Sequence, residues 1–309
     1  GVAPGIDLYI AKVLGDNGSG TFEDVVAGIE WLIDPDGDPA TDDGVDLING
    51  SLGASESIPE LRQPLINAQA TGTFLCFAAG NSGQICGSPA DFPEIFAVGA
   101  VDSADKKASF SSIGPVQFDG QSHIKPAVMA PGVAVISYYK DRLMGLDGTS
   151  MACPNTAGVI SLLLQADPSM SVDEIKNLLM ETAVDGGVPG PDNNYGFGRV
   201  DAFAAAKKAM RNKEAGLILG RRLALLAKME FDRLRAEKNR DTDKVFRLLK
   251  HQARLRDLIA EFIVANFIDS DKLDAAIGQV TTPDTERLFE LLKLSLSETI
   301  LKEKLGADN

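Results

Sequence analysis

Thr73-Phe74-Leu75-Cys76-Phe77-Ala78-Ala79-Gly80-Asn81-Ser82-Gly83 is a short apolar run that stops abruptly in a cluster of Gly, Asn and Ser. A run of this length bounded by turn residues reads as a buried strand with a loop at its carboxyl end. Working outward, Ile95–Val101 and Val45–Ile48 are further runs of the same kind, and Ile6–Leu14 reads as a first strand. Between them, Phe22, Val25, Val26, Ile29 and Ile33 fall at helical spacing, and Ile58–Ala70 reads as a second helix. Short apolar runs alternating with amphipathic helices predict an α/β fold with a mostly parallel sheet and helices on both faces. Such sheets hold ligands at the carboxyl ends of their strands. The Gly/Asn/Ser clusters fall there: Asn49-Gly50-Ser51-Leu52-Gly53, Gly80-Asn81-Ser82-Gly83, and Gly145–Ser150.

The last cluster opens Gly148-Thr149-Ser150-Met151-Ala152-Cys153-Pro154, a tight turn feeding a helix of small residues. A serine at the mouth of a helix sits where backbone N–H groups stabilise an oxyanion. Taken singly, Ser150 also reads as a helix N-cap and Asn81 as a turn residue. The sequence has two histidines, His123 and His251, and neither stands where a base for Ser150 is expected. Downstream, Ser171 and Glu174 form a capping-box pair that starts a helix to about Thr182. Tyr195–Asp201 then leads into an Ala-rich helix ending near Met210.

Beyond Arg211 the character changes to long charged helices. Leu223, Leu226, Phe231 and Leu234 form one apolar stripe, and Leu255, Leu258, Ile259, Phe262 and Ile263 a second. Pro283 opens a last helix to about Leu305. Residues 1–210 and 211–309 are therefore expected to be two domains, the second a helical hairpin or bundle. Their charges agree with that division. Residues 1–210 carry 11 Lys and Arg against 27 Asp and Glu, and residues 211–309 carry 19 against 17. The acidic first part repels nucleic acid and anionic lipid and so argues against both as partners. No apolar run reaches the 18 residues of a membrane span. The chain opens on Gly1 with neither Met nor a leader-like segment, so a leader is expected to have been removed or not included. Cys76, Cys86 and Cys153 read as buried free thiols, with a Cys76–Cys86 bridge as the alternative.

A set of motifs resembles the subtilisin-like serine peptidases, or subtilases. They are Gly1-Val2-Ala3-Pro4, Lys12-Val13-Leu14, Gly28-Ile29-Glu30-Trp31, Ser51-Leu52-Gly53, Ala78-Ala79-Gly80-Asn81, Ala97–Asp102, Ala108–Ser112, Met129-Ala130-Pro131-Gly132 and Gly148–Pro154, in the family's order. The resemblance covers residues 1–210. It implies hydrolysis of protein or peptide substrates with no required cofactor. Ser150 would be the nucleophile, and Asn81 would donate to the oxyanion beside the Ser150 backbone N–H. It further implies that Ser51, Leu52 and Gly53 form the edge on which an extended substrate lies. Ala78, Ala79 and Gly80 would wall the side-chain pocket, and Gly87 would leave room at its floor. Family habit favours secretion, with a cytoplasmic setting the alternative.

Three departures from the pattern accompany these expectations. The family's acid and base precede the serine in chain order, so the segment carrying them is expected upstream of Gly1, and residues 1–309 alone are expected to be nearly inactive. Asn49-Gly50 stands for the usual Asn-Met, and Asn155-Thr156 for the usual His-Val. A calcium ion is a further possibility, with Asp34, Asp36 and Asp38 as its candidate ligands, against a solvated acidic loop. The alternative to a peptidase is a non-catalytic pseudopeptidase that binds peptides or serves assembly. A serine-carboxyl peptidase with a Glu base fits less well, because Met151 and Ala130-Pro131-Gly132 are more subtilisin-like.

Overall fold

The computed structural model describes residues 1–38, 40–139, 141–239, 242, 247–252, 254–255 and 258–259. The chain divides into two compact units, Gly1–Ala209 and Met210–Asn309.

The first unit is built on four parallel strands: β1 (Leu47–Gly50), β2 (Phe74–Ala78), β3 (Phe96–Val101) and β6 (Val128–Pro131), in the order β1-β2-β3-β6. Every residue of β2 and β3 is buried, which is why both read as continuous apolar runs rather than alternating ones. The pleat of β2 divides its side chains between two cores. Phe74, Cys76 and Ala78 join Val98, Ala130, Ile160 and Leu179 on one face. Leu75 and Phe77 join Ile29, Ile48, Leu65 and Phe92 on the other. The first face is covered by α3 (Thr149–Ala166), α4 (Val172–Thr182) and the opening turns of α5 (Ala202–Lys238). The second is covered by α1 (Phe22–Ile33) and α2 (Arg62–Ala70), the latter entered through a 3-10 turn at Pro59–Leu61. This is the expected α/β sheet with helices on both faces.

Helix ends follow local chemistry. Ser171 caps α4 by accepting from Glu174 N at 3.3 Å while Glu174 Oε2 accepts from Ser171 N at 2.8 Å. Thr21 and Asp24 form the same reciprocal pair at α1. The Ala-rich helix expected to end near Met210 instead continues as α5 to Lys238, because Ala, Leu, Arg and Lys dominate the stretch and no proline interrupts it. In the second unit Leu226 and Ile259 are buried, whereas Leu258 is exposed. Phe262, Ile263 and the expected helix from Pro283 lie outside the described residues.

The run Ile6–Leu14, expected as a strand, carries no strand. Among the described residues no strand pairs with it, β1 stands at the edge of the sheet, and Leu8 and Ile10 are 74% and 80% exposed. Two antiparallel hairpins lie outside the parallel sheet. One joins β4 (Val116–Phe118) to β5 (Gln121–His123), and the other joins β7 (Val135–Tyr139) to β8 (Arg142–Leu146). No described helix is long and apolar enough to cross a membrane.

The Gly50 departure has a packing cause. Gly50 pairs with Phe77 across β1 and β2, and a Cβ at Gly50 would clash with the ring, 2.1 Å from Phe77 Cε1 and 2.2 Å from Cδ1. The phenyl group occupies the space that a larger residue at 50 would need. Gly50→Met should therefore destabilise the chain by about 3 kcal/mol in urea unfolding. Phe77→Ala should restore part of that loss in the double variant, and additive losses would refute the pairing.

One buried cation lies beneath the same region. Lys125 is 3% exposed, and its Nζ donates to the Phe92 and Ile95 carbonyls at 2.6 Å each. Burial pushes its ammonium down to about 8.

Candidate active site

Ser150 is the second residue of α3, whose N-cap is Gly148. The first-turn N–H groups of a helix have no intrahelical acceptor and carry the positive end of its dipole. Asn81 reaches the same place from the opposite side of the sequence, leaving the end of β2 through Gly80, whose φ of 107° suits glycine. Asn81 Oδ1 accepts from Thr149 N at 2.8 Å and from Thr149 Oγ1 at 2.9 Å. The Gly80 N–H in turn donates to Thr149 Oγ1 at 3.2 Å. With its oxygen held on both donors of Thr149, the carboxamide has one orientation, and its Nδ2 is left for another acceptor.

Gly148 shows where that acceptor would lie. A Cβ built on Gly148 would stand 3.6 Å from Asn81 Nδ2 and 3.6 Å from the Ser150 backbone nitrogen. Its φ of 154° is one that residues with a side chain rarely adopt. Two nitrogen donors 69 positions apart in sequence thus come within van der Waals reach of one point at Gly148, which Met151 Sδ approaches at 3.5 Å as well. Two donors converging in this way suit an oxygen that gains negative charge.

Ser51, at the end of β1, is tied to Ser150 by two hydrogen bonds. Ser51 Oγ donates to the Ser150 carbonyl at 3.0 Å, and Ser150 Oγ donates to the Ser51 carbonyl at 3.3 Å. Asn49 Nδ2 supports Ser51 Oγ at 3.1 Å. Because β1 and β2 are parallel neighbours, Ser51-Leu52-Gly53 and Ala78-Ala79-Gly80 leave the sheet side by side. The segment after Cys86 joins the first of these: Ala54 N donates to Ser88 O at 2.8 Å, and Ser88 N to Glu56 O at 3.1 Å. Gly87 permits that approach, since a Cβ there would meet Ala54 O at 2.2 Å. Its missing side chain thus faces the Ala54–Ser55 backbone. Asn155 Nδ2 donates to the Pro131 carbonyl at 3.0 Å, tying α3 to the end of β6.

Neither histidine is a hydrogen-bond partner of Ser150 among the described residues. His123 lies on β5 opposite Val116. His251 is exposed in the second unit, with Nδ1 2.7 Å from the Arg247 carbonyl. Thr149 orients Asn81, a role that no motif in the sequence marks. Its only signal was its place in Gly148-Thr149-Ser150.

The acidic loop gathers Asp34, Asp36 and Asp43, which each offer a carboxylate oxygen within 4.8 Å of the others. Asp38 is not one of this group. Its Oδ1 accepts from Ala40 N at 3.0 Å instead, because the loop folds back through an Asp36 N to Asp43 Oδ2 bond of 3.2 Å. Asp34 Oδ1 is buried with no hydrogen-bond partner.

A family profile described as "Subtilase family" matches residues 1–198. Subtilisin DY of Bacillus licheniformis is 41% identical over 213 residues, covering 67% of this chain and 70% of that protein. Subtilisin Savinase of Lederbergia lenta is 38% identical over 209 residues, again 67% of this chain and 70% of that protein. Bacillopeptidase F of Bacillus subtilis is 39% identical over 226 residues, 66% of this chain but 15% of that much longer protein.

Proposed function

The chain belongs to the subtilase family, and from that premise we propose that residues 1–210 form the nucleophile-bearing part of a serine endopeptidase, with residues 211–309 a helical extension. Ser150 Oγ attacks the scissile carbonyl. The carbonyl oxygen, charged in the tetrahedral intermediate, takes the place between Asn81 Nδ2 and the Ser150 N–H. The substrate lies extended along Ser51-Leu52-Gly53, its side chain between that edge and Ala78-Ala79-Gly80, with Gly87 behind. The observation that carries this reading is that both donors stand 3.6 Å from where a Cβ on Gly148 would lie. A fluorophosphonate probe tests it on the chain extended upstream by the family's acid- and base-bearing segment. Peptide mapping should find Ser150 modified, with no labelling of Ser150→Ala. A label on another residue would refute the assignment.

The base is proposed to be a histidine outside these 309 residues. In support, the Ser150 hydroxyl donates to a backbone carbonyl rather than to His123 or His251. The segment that brings it is proposed to pair along the free edge of β1 and cover the exposed apolar residues of the 6–10 stretch. Protein and peptide substrates in an exported setting complete the reading. The net negative charge of residues 1–210 disfavours nucleic acid.

Calcium is proposed as a structural ion at Asp34, Asp36 and Asp43. The residues fit a hard cation: three carboxylates converge, and the buried Asp34 Oδ1 lacks a donor. Millimolar calcium should raise the melting temperature, and Asp34→Asn should abolish the rise while leaving the calcium-free melting temperature nearly unchanged. Equal melting with calcium and with chelator would retire the site.

A further inference from the structure

Cys76 lies in the middle of β2 and Cys153 in the first turns of α3, and both are completely buried. Their sulfurs are 3.6 Å apart. Cys153 Sγ points at the Cys76 carbonyl at 3.3 Å, and Cys76 Sγ at the Cys153 carbonyl at 3.9 Å. The two side chains are therefore aimed at one another across the strand–helix interface. Cys86, the third thiol, sits in a separate apolar cluster with Ala79, Ala90, Ala97 and Val116. All three thiols are free and buried in this structure, as expected, and Cys86 is not the partner of Cys76.

We propose that Cys76 and Cys153 form a structural disulfide when the chain folds in an oxidising medium. Two S–H bonds break and one S–S bond forms. The two electrons and two protons pass to a small-molecule disulfide oxidant, which leaves as two thiols. The sulfurs close from 3.6 Å to about 2.05 Å as the bond forms. Complete burial denies an oxidant access to the finished fold, so the bond is made while the chain folds. It links positions 77 apart. It also joins the strand that leads to Asn81 to the helix that carries Ser150, so it fixes the spacing between those loops whether or not they catalyse. Cys86 is left as the single thiol, and burial, which pushes it up to about 12, keeps it out of exchange.

The test is to refold the chain from denaturant in a glutathione redox buffer, alkylate it under denaturing conditions and map the thiols by mass spectrometry. The expected result is one alkylated cysteine, Cys86, and a peptide pair joining Cys76 to Cys153 that separates on reduction. The oxidised chain should melt on the order of 5–10 °C above the reduced one. Cys76→Val should fold, form no bridge and melt alike in both buffers. Where refolding is inefficient, the same mapping on chain exported directly into an oxidising compartment decides the matter. Three free thiols in the folded, redox-buffered chain, or a bridge to Cys86, would overturn the proposal.

Discussion

Residues 1–309 extended upstream by a strand and helix bearing an aspartate and a histidine should cleave a chromogenic peptide about 10⁶-fold faster than residues 1–309 alone, since removing the histidine of subtilisin lowers turnover by that factor. That ratio corresponds to about 8 kcal/mol of barrier. The physical reason is the proton on Ser150. An alcohol attacks poorly unless its proton leaves in the same step, and its present acceptor is the Ser51 carbonyl, which cannot take the proton. The two donors of the proposed oxyanion site are unaffected, so the shorter chain should keep the residual ~10³–10⁴ over water that donors and binding alone supply. Turnover normalised to titrated sites measures the ratio. His123→Ala and His251→Ala should leave the extended chain unchanged. If the shorter chain came within about 100-fold of the longer one, a group inside residues 1–309 would be the base, and the proposal would fail.

The central strands β2 and β3 were legible because both of their faces are buried. In β2 and β3 local sequence and tertiary environment agree, and the Gly/Asn/Ser loops at strand ends mark where the sheet opens. The capping box at Ser171 and Glu174 was legible for the same local reason. Ile6–Leu14 failed because a strand needs a neighbour, and pairing is a non-local property that an apolar run does not encode. The β7–β8 hairpin escaped notice for the opposite cause: Ile136, Tyr138 and Leu143 are more than half exposed, so its apolar residues mark no core. Asp43 entered the acidic group in place of Asp38 through a loop closure that spacing alone does not show. Thr149 and the Cys76–Cys153 contact depend on which side chains meet across β2 and α3, far apart in sequence. Gly50 was visible as an anomaly, and only the ring of Phe77 explains it.

The second large effect is expected at Asn81, and the choice of substitution separates its two roles. Asn81→Ala removes the Nδ2 donor and also strands the N–H and hydroxyl of Thr149, which both bond to Oδ1. Activity of the extended chain should fall about 10²–10³-fold, the loss known for the oxyanion asparagine of subtilisin. Stability should fall by about 1–3 kcal/mol, because partly buried donors lose their acceptor. Asn81→Asp keeps an oxygen for Thr149 and replaces the Nδ2 donor with a second, negatively charged oxygen facing the proposed oxyanion site. It should therefore retain more stability than Asn81→Ala yet lose more activity, since a carboxylate repels the developing oxyanion. Gly148→Ala approaches the same space from below. Its methyl would stand 3.6 Å from both donors and 3.5 Å from Met151 Sδ, and its φ of 154° disfavours any side chain. Its loss of activity should match that of Asn81→Ala. Because both changes act on one oxygen, the double variant should be little worse than either single one, whereas independent sites would multiply their losses. Multiplicative losses, or Asn81→Asp with near-normal turnover, would show that the reacting oxygen does not lie between Asn81 Nδ2 and the Ser150 N–H.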